Sequence, residues 1–133
     1  MKTFTNNYLH WVRTNTVETL LSNGWTEIAT PFMDRHNDGL VIYVKEEHEE
    51  IILSDNGYII RDMELYGLAV NRRMEAIQNF LRGYGVTVTD NKELQLKTTM
   101  QAYPAKQHLL LQAMMSVSLF LNATDINNGR HLY

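Results

Sequence analysis

Cysteine is absent from the 133 residues, which excludes a disulfide framework, a thiolate nucleophile and a cysteine-ligated zinc or iron–sulfur centre. No run is apolar enough to span a bilayer. The richest stretch, residues 109–121, is interrupted by Gln112, Ser116 and Ser118. The first residues contain no apolar segment of signal-peptide length, so a soluble, cytoplasmic protein is expected, with no membrane contact. Neither charge sign dominates. A formal charge of -3 and a pI near 5.9 argue against a strongly basic nucleic-acid grip and leave room only for a local patch. No glycine-rich phosphate loop occurs, because Gly83-Tyr84-Gly85 reads as a helix terminator, and no serine sits in a nucleophile elbow. The histidines (His10, His36, His48, His108 and His131) lack metal-ligand spacing.

What is present is the composition of an ordinary globular protein, 44% hydrophobic and 20% charged. The length suits one domain over residues 1–133, able to bury roughly two thirds of its unfolded surface. Residues 5–23 space Tyr8, Trp11, Val12, Val17, Leu20 and Leu21 as one helical face, with a plausible break at Thr14-Asn15-Thr16. Residues 25–30 alternate as a strand that Pro31 should end. Residues 40–44 and 51–53 read as an antiparallel hairpin with a charged tip. Asp55-Asn56-Gly57 suits a tight turn, and Tyr58-Ile59-Ile60 then reads as a third strand.

From Arg61 the period becomes helical: a short turn closed by Gly67, then a helix capped by Asn71 and running to about Tyr84. Residues 86–89 and 94–98 alternate as a second hairpin. Pro104 suits the first turn of a last helix, whose apolar residues cover a broad arc, and residues 125–133 read as a polar, frayed end. The expected fold is therefore α+β: an antiparallel β-meander plus a hairpin packed against about three helices.

Polar and turn-forming residues are densest over 30–39. Asp38 opens one strand and Asp55 closes its partner, so both should lie at one end of the sheet. Two such carboxylates, with Asp34 nearby and His36 or Glu64 joining, are what Mg²⁺ accepts. Turn formation accounts for Asp34, Asn37, Asp38 and Asp55 equally well, with Arg35 paired to a carboxylate. A metal-dependent nuclease also wants an alternating acid and lysine on the second strand, which residues 51–54 do not supply. Arg72, Arg73 and Arg82 share one helix and form a candidate basic strip, although such charges are commonly a solvated face.

The run Thr30-Pro31-Phe32-Met33-Asp34-Arg35-His36-Asn37-Asp38, the Ile42-Tyr43-Val44 strand, Leu53-Ser54-Asp55-Asn56-Gly57-Tyr58 and Asp62-Met63-Glu64-Leu65-Tyr66-Gly67 resemble the bacterial and phage domain of unknown function DUF1828. Leu110-Leu111-Gln112-Ala113-Met114 fits the same pattern. The resemblance supplies no activity to carry over by residue and implies an accessory role in a prophage or mobile element, such as interference with host defence.

The favoured function is a non-enzymatic protein-interaction module with an unidentified protein partner, needing no cofactor and no metal. Its binding residues are expected among Asp34, Arg35, His36, Asn37, Asp38, Asp55 and Asp62. Self-association is expected through the helix over 104–124, whose Met114-Met115 face is adaptable. The alternatives are a Mg²⁺-dependent nuclease-like enzyme using Asp38 and Asp55 as catalytic carboxylates, or a nucleic-acid-binding accessory protein using Arg72, Arg73 and Arg82.

Overall fold

The computed structural model describes residues 3–130, with side chains described as far as Leu121. The Thr3 hydroxyl accepts from the Asn6 N–H at 3.1 Å and starts α1 (Phe4–Thr14). Contrary to the single helix expected over 5–23, α1 stops at the weak helix formers Thr14-Asn15-Thr16. The alternating Val-Glu-Thr-Leu beyond them is β1 (Val17–Leu20), an edge strand. β2 (Thr26–Met33) runs through Pro31 instead of ending there, because its register on β3 (Gly39–Glu47) slips between Ala29 and Met33. An irregular step in the ladder is where a residue lacking an N–H is tolerated.

β3 and β4 (Glu50–Ser54) form the expected hairpin. Its charged tip is only two residues, His48 and Glu49, with φ of 52° and 67°. Asn56 and Gly57 take the expected positive φ, 58° and 79°. They do not lead into a third strand: Tyr58-Ile59-Ile60 begins α2 (Tyr58–Leu65). The Asp55 carboxyl accepts from the backbone N–H of Ile59 in the first turn, which commits the segment to helix. α3 (Met74–Arg82) is shorter than expected, with Arg73 rather than Asn71 at its N-cap. Asn71 lies in the preceding turn, where its carbonyl accepts from Met74 N–H at 3.5 Å.

β5 (Thr87–Val88) and β6 (Leu94–Thr98) pair as the second hairpin, and β6 docks on β4 to extend the meander into one antiparallel sheet of order β1-β2-β3-β4-β6-β5. α4 (Tyr103–Arg130) crosses the sheet at β6 and β4 and touches α2 and α3. Its backbone stays helical to Arg130 where a frayed end was expected from residue 125, and residues 131–133 lie outside the described ones. The core collects the inward positions Ile28, Leu40, Ile42, Ile51, Leu53, Leu94 and Leu96 of the sheet against Ile60, Met63, Ile77, Leu81, Leu110, Met114 and Leu121. The broad apolar arc of α4 is thus covered within the chain: Met114 is 1% exposed. Among the described residues no helix is long and apolar enough to cross a membrane.

Candidate functional site

Loop 34–38 closes on itself through Asp34. Its Oδ1 accepts from the backbone N–H of His36 at 2.8 Å and of Asp38 at 3.0 Å. Its N–H donates to the Asp38 carbonyl at 2.8 Å, and Asn37 sits at φ 62°. An aspartate followed by a residue tolerant of left-handed backbone is what such a turn requires. The remaining oxygen, Oδ2, accepts from the Tyr58 hydroxyl at 2.6 Å. Burial pushes the Asp34 carboxyl up, but the bonds from Tyr58, Asp38 and His36 outweigh it and hold the group below its ordinary value. The same bond, reinforced by burial, pushes the Tyr58 phenol well above its own.

Tyr58, Asp62 and Tyr66 recur every four residues along α2 and its C-cap, so they lie on one side of it. This side meets the loop. The Arg35 Nε donates to Asp62 Oδ2 at 3.2 Å, and His36 Nε2 lies 3.1 Å from Asp62 Oδ1. The Arg35 guanidinium carbon stands 4.9 Å from the Tyr66 ring centre, and the His36 and Tyr66 rings are 4.7 Å apart. Arg35 and Asp62 side chains are each only 13% exposed, whereas Tyr66 is 64% exposed. The cation, imidazole and carboxylate thus form a fixed bed under an aromatic ring open to solvent. One guanidinium nitrogen, Nη2, is buried without a partner among the described residues.

Beside this bed is a cavity of about 280 Å³, bounded by Asp38, Val41, Tyr43, Asp55, Tyr58 and Arg61. Asp38 and Asp55 therefore do come to one end of the sheet, but they are not equivalent. Asp38 is exposed. Asp55 is fully buried and its oxygens accept from three backbone N–H groups: Gly57 at 2.8 Å, Ile59 at 2.9 Å and Leu94 at 2.9 Å. Burial pushes its carboxyl above the ordinary value while the three donors oppose that shift. A carboxyl so occupied has nothing to offer an Mg²⁺ ion. Among the described residues no three His, Asp or Glu side chains are grouped to hold a metal. Glu64 stands apart from the loop, paired with Lys92 at 2.9 Å.

The arginines of α3 do not form a common exposed strip. Arg73 is half-buried, with Nη1 3.5 Å from the Leu121 carbonyl, and Arg82 donates to Asn79 at 3.0 Å. Arg72 is exposed. Sequence reasoning grouped Asp34, Arg35, His36 and Asp62 correctly but missed Tyr58 and Tyr66. The four-residue spacing through Asp62 was the available signal, hidden by reading Tyr58 as part of a strand.

A family model, described as Domain of unknown function DUF1828, matches residues 30–117, more than half of the chain. The match opens at Thr30 and takes in the loop, α2 and the cavity residues. No curated protein and no solved structure matches the chain.

Proposed function

The chain belongs to the DUF1828 family, a domain of unknown function, and from that premise we propose that it is a non-enzymatic protein-interaction module. It engages its partner through the surface of loop 34–38 and α2. The observation that carries this reading is Tyr66, an exposed ring stacked against Arg35 and His36, which are themselves held by Asp62. Tyrosine and arginine dominate binding energy at protein interfaces, and a bed already fixed by hydrogen bonds loses little freedom on binding. Exposed Leu65 lies next to Tyr66 in sequence and adds apolar area, while Asp38 and Arg61 at the neighbouring cavity supply charge of both signs.

The competing nuclease-like reading would require Asp55 to surrender three backbone hydrogen bonds to reach a metal, and therefore receives less support. Placement in a bacterial prophage or mobile element, with an anti-defence partner in the cytoplasm, extends the proposal on the strength of the family resemblance alone. The test is affinity purification from the native cell of tagged wild type and of Tyr66→Ala, an exposed change that leaves the fold intact. One protein retained in fixed proportion by wild type and lost by the variant is expected. An identical set of retained proteins, or Mg²⁺-dependent cleavage of nucleic acid abolished by Asp38→Ala, would overturn the proposal.

A further inference from the structure

α1 places Phe4, Tyr8, Trp11 and Val12 at intervals of four, three and one, a single apolar stripe. Nothing in its own chain buries that stripe: no residue of α1 is buried, and Phe4, Tyr8 and Trp11 are 96%, 53% and 51% exposed. An 11-residue helix is marginal in water without tertiary packing. At the same time the helices cover the inner sheet face over β4 and β6, and none packs substantially on β1 or β2. The uncovered part is a groove of about 370 Å³ with Thr26, Ile28, Val44, Met100 and Tyr103 along it.

α1 does not fold back into this groove because its C-terminus is locked to β1. Asn15 N–H and Nδ2 both donate to the Trp11 carbonyl, at 3.0 and 2.9 Å, and the Thr16 hydroxyl donates to the Val12 carbonyl at 2.6 Å. Only those two residues separate helix from strand, so reversal would break all three bonds. A helix from another molecule meets no such constraint. The charges agree with a second copy: α1 contains Arg13 and His10 and no acidic residue, while Glu18 and Glu46 edge the groove.

We propose that two copies of this chain exchange α1, each apolar stripe seated in the other's groove over β1 and β2. Burying the stripe would remove on the order of 400 Å² from each helix and a similar area from each groove. Two reciprocal sites then bury roughly 1,600 Å², the size of a stable specific interface. The interface uses no residue of the Tyr66 surface, so either reading can fail without the other.

Sedimentation of the full chain over a dilution series provides the test, with two exposed substitutions, Trp11→Asp on the helix and Met100→Glu at the groove. Wild type should sediment as a dimer and each variant as a folded monomer of half that mass. An equal mixture of the two variants should regain a dimer, because Trp11→Asp still offers an intact groove and Met100→Glu an intact helix. A wild type monomeric at high micromolar concentration, a dimer that survives both substitutions, or variants that stay monomeric when mixed would each overturn the proposal.

Discussion

Replacing Asp55 separates a carboxyl that shapes the fold from one that serves a ligand. In Asp55→Ala the backbone N–H groups of Gly57, Ile59 and Leu94 lose their acceptor. A buried unsatisfied donor costs about 1–3 kcal/mol. The cavity beside Asp55 admits water to part of this site, so we expect a total loss of about 3–5 kcal/mol, a large share of the roughly 5–15 kcal/mol that holds a domain folded. Asp55→Asn keeps one acceptor oxygen for Gly57 and Leu94 but turns an amide against the Ile59 N–H, and should cost about half as much. The assay is equilibrium urea unfolding. With a slope of about 2 kcal/mol per molar, the midpoint should fall by roughly 2 M for the alanine and 1 M for the asparagine variant, at unchanged slope. A midpoint unchanged or raised by Asp55→Ala, as expected when a strained ligand-binding acid is removed, would refute the reasoning.

Two further outcomes follow from the packing and the loop. Tyr58→Phe removes a hydrogen bond to a carboxylate and should cost about 1.5–3 kcal/mol near neutral pH. Asp34 is held below its ordinary value of 3.8, so the stability it supplies is present above that value and lost as pH falls through the lower folded one. Tyr58 is raised above 10.0, so its share is lost as pH rises beyond that, and unfolding followed against pH should show the wild-type advantage narrowing at both extremes. Met114→Ala opens a cavity in a closed core and should cost about 2–5 kcal/mol by thermal or urea unfolding; a near-neutral result would mean that α4 does not pack against the sheet.

Much of the architecture was legible because its elements carry their own period. Residues 40–44, 51–53 and 94–98 are short β-forming runs between turn residues, and each is a strand. Met74, Ile77 and Leu81 mark α3 in the same way. Tyr58-Ile59-Ile60 failed because three β-formers in a row do not show a period, and the decision was made elsewhere, by Asp55 accepting from Ile59. Val17 and Leu20 failed for a related reason. Their spacing of three fits a helix as well as it fits the ends of a four-residue strand. The breadth of the apolar arc on α4 could not say whether a sheet or a second molecule covers it. At the candidate site the loop residues were readable as turn chemistry, whereas the aromatic members depended on knowing that residues 58–65 are helical.

The order β4-β6 in the sheet has a consequence for how the chain reaches this state. β1 to β4 pair in succession, each with its neighbour in sequence, so that half of the sheet can assemble through short loop closures. β6 cannot join until the chain has wound α2 and α3 and brought Thr98 back beside Ile51. Closing so long an excursion is the slowest kind of contact to form. Asp55 and Leu94 stand at the mouth of that excursion and exchange two hydrogen bonds, one backbone to backbone and one through the carboxyl. The residue that starts α2 is therefore also the one that fastens the last-arriving strand, and its loss should appear mainly as faster unfolding.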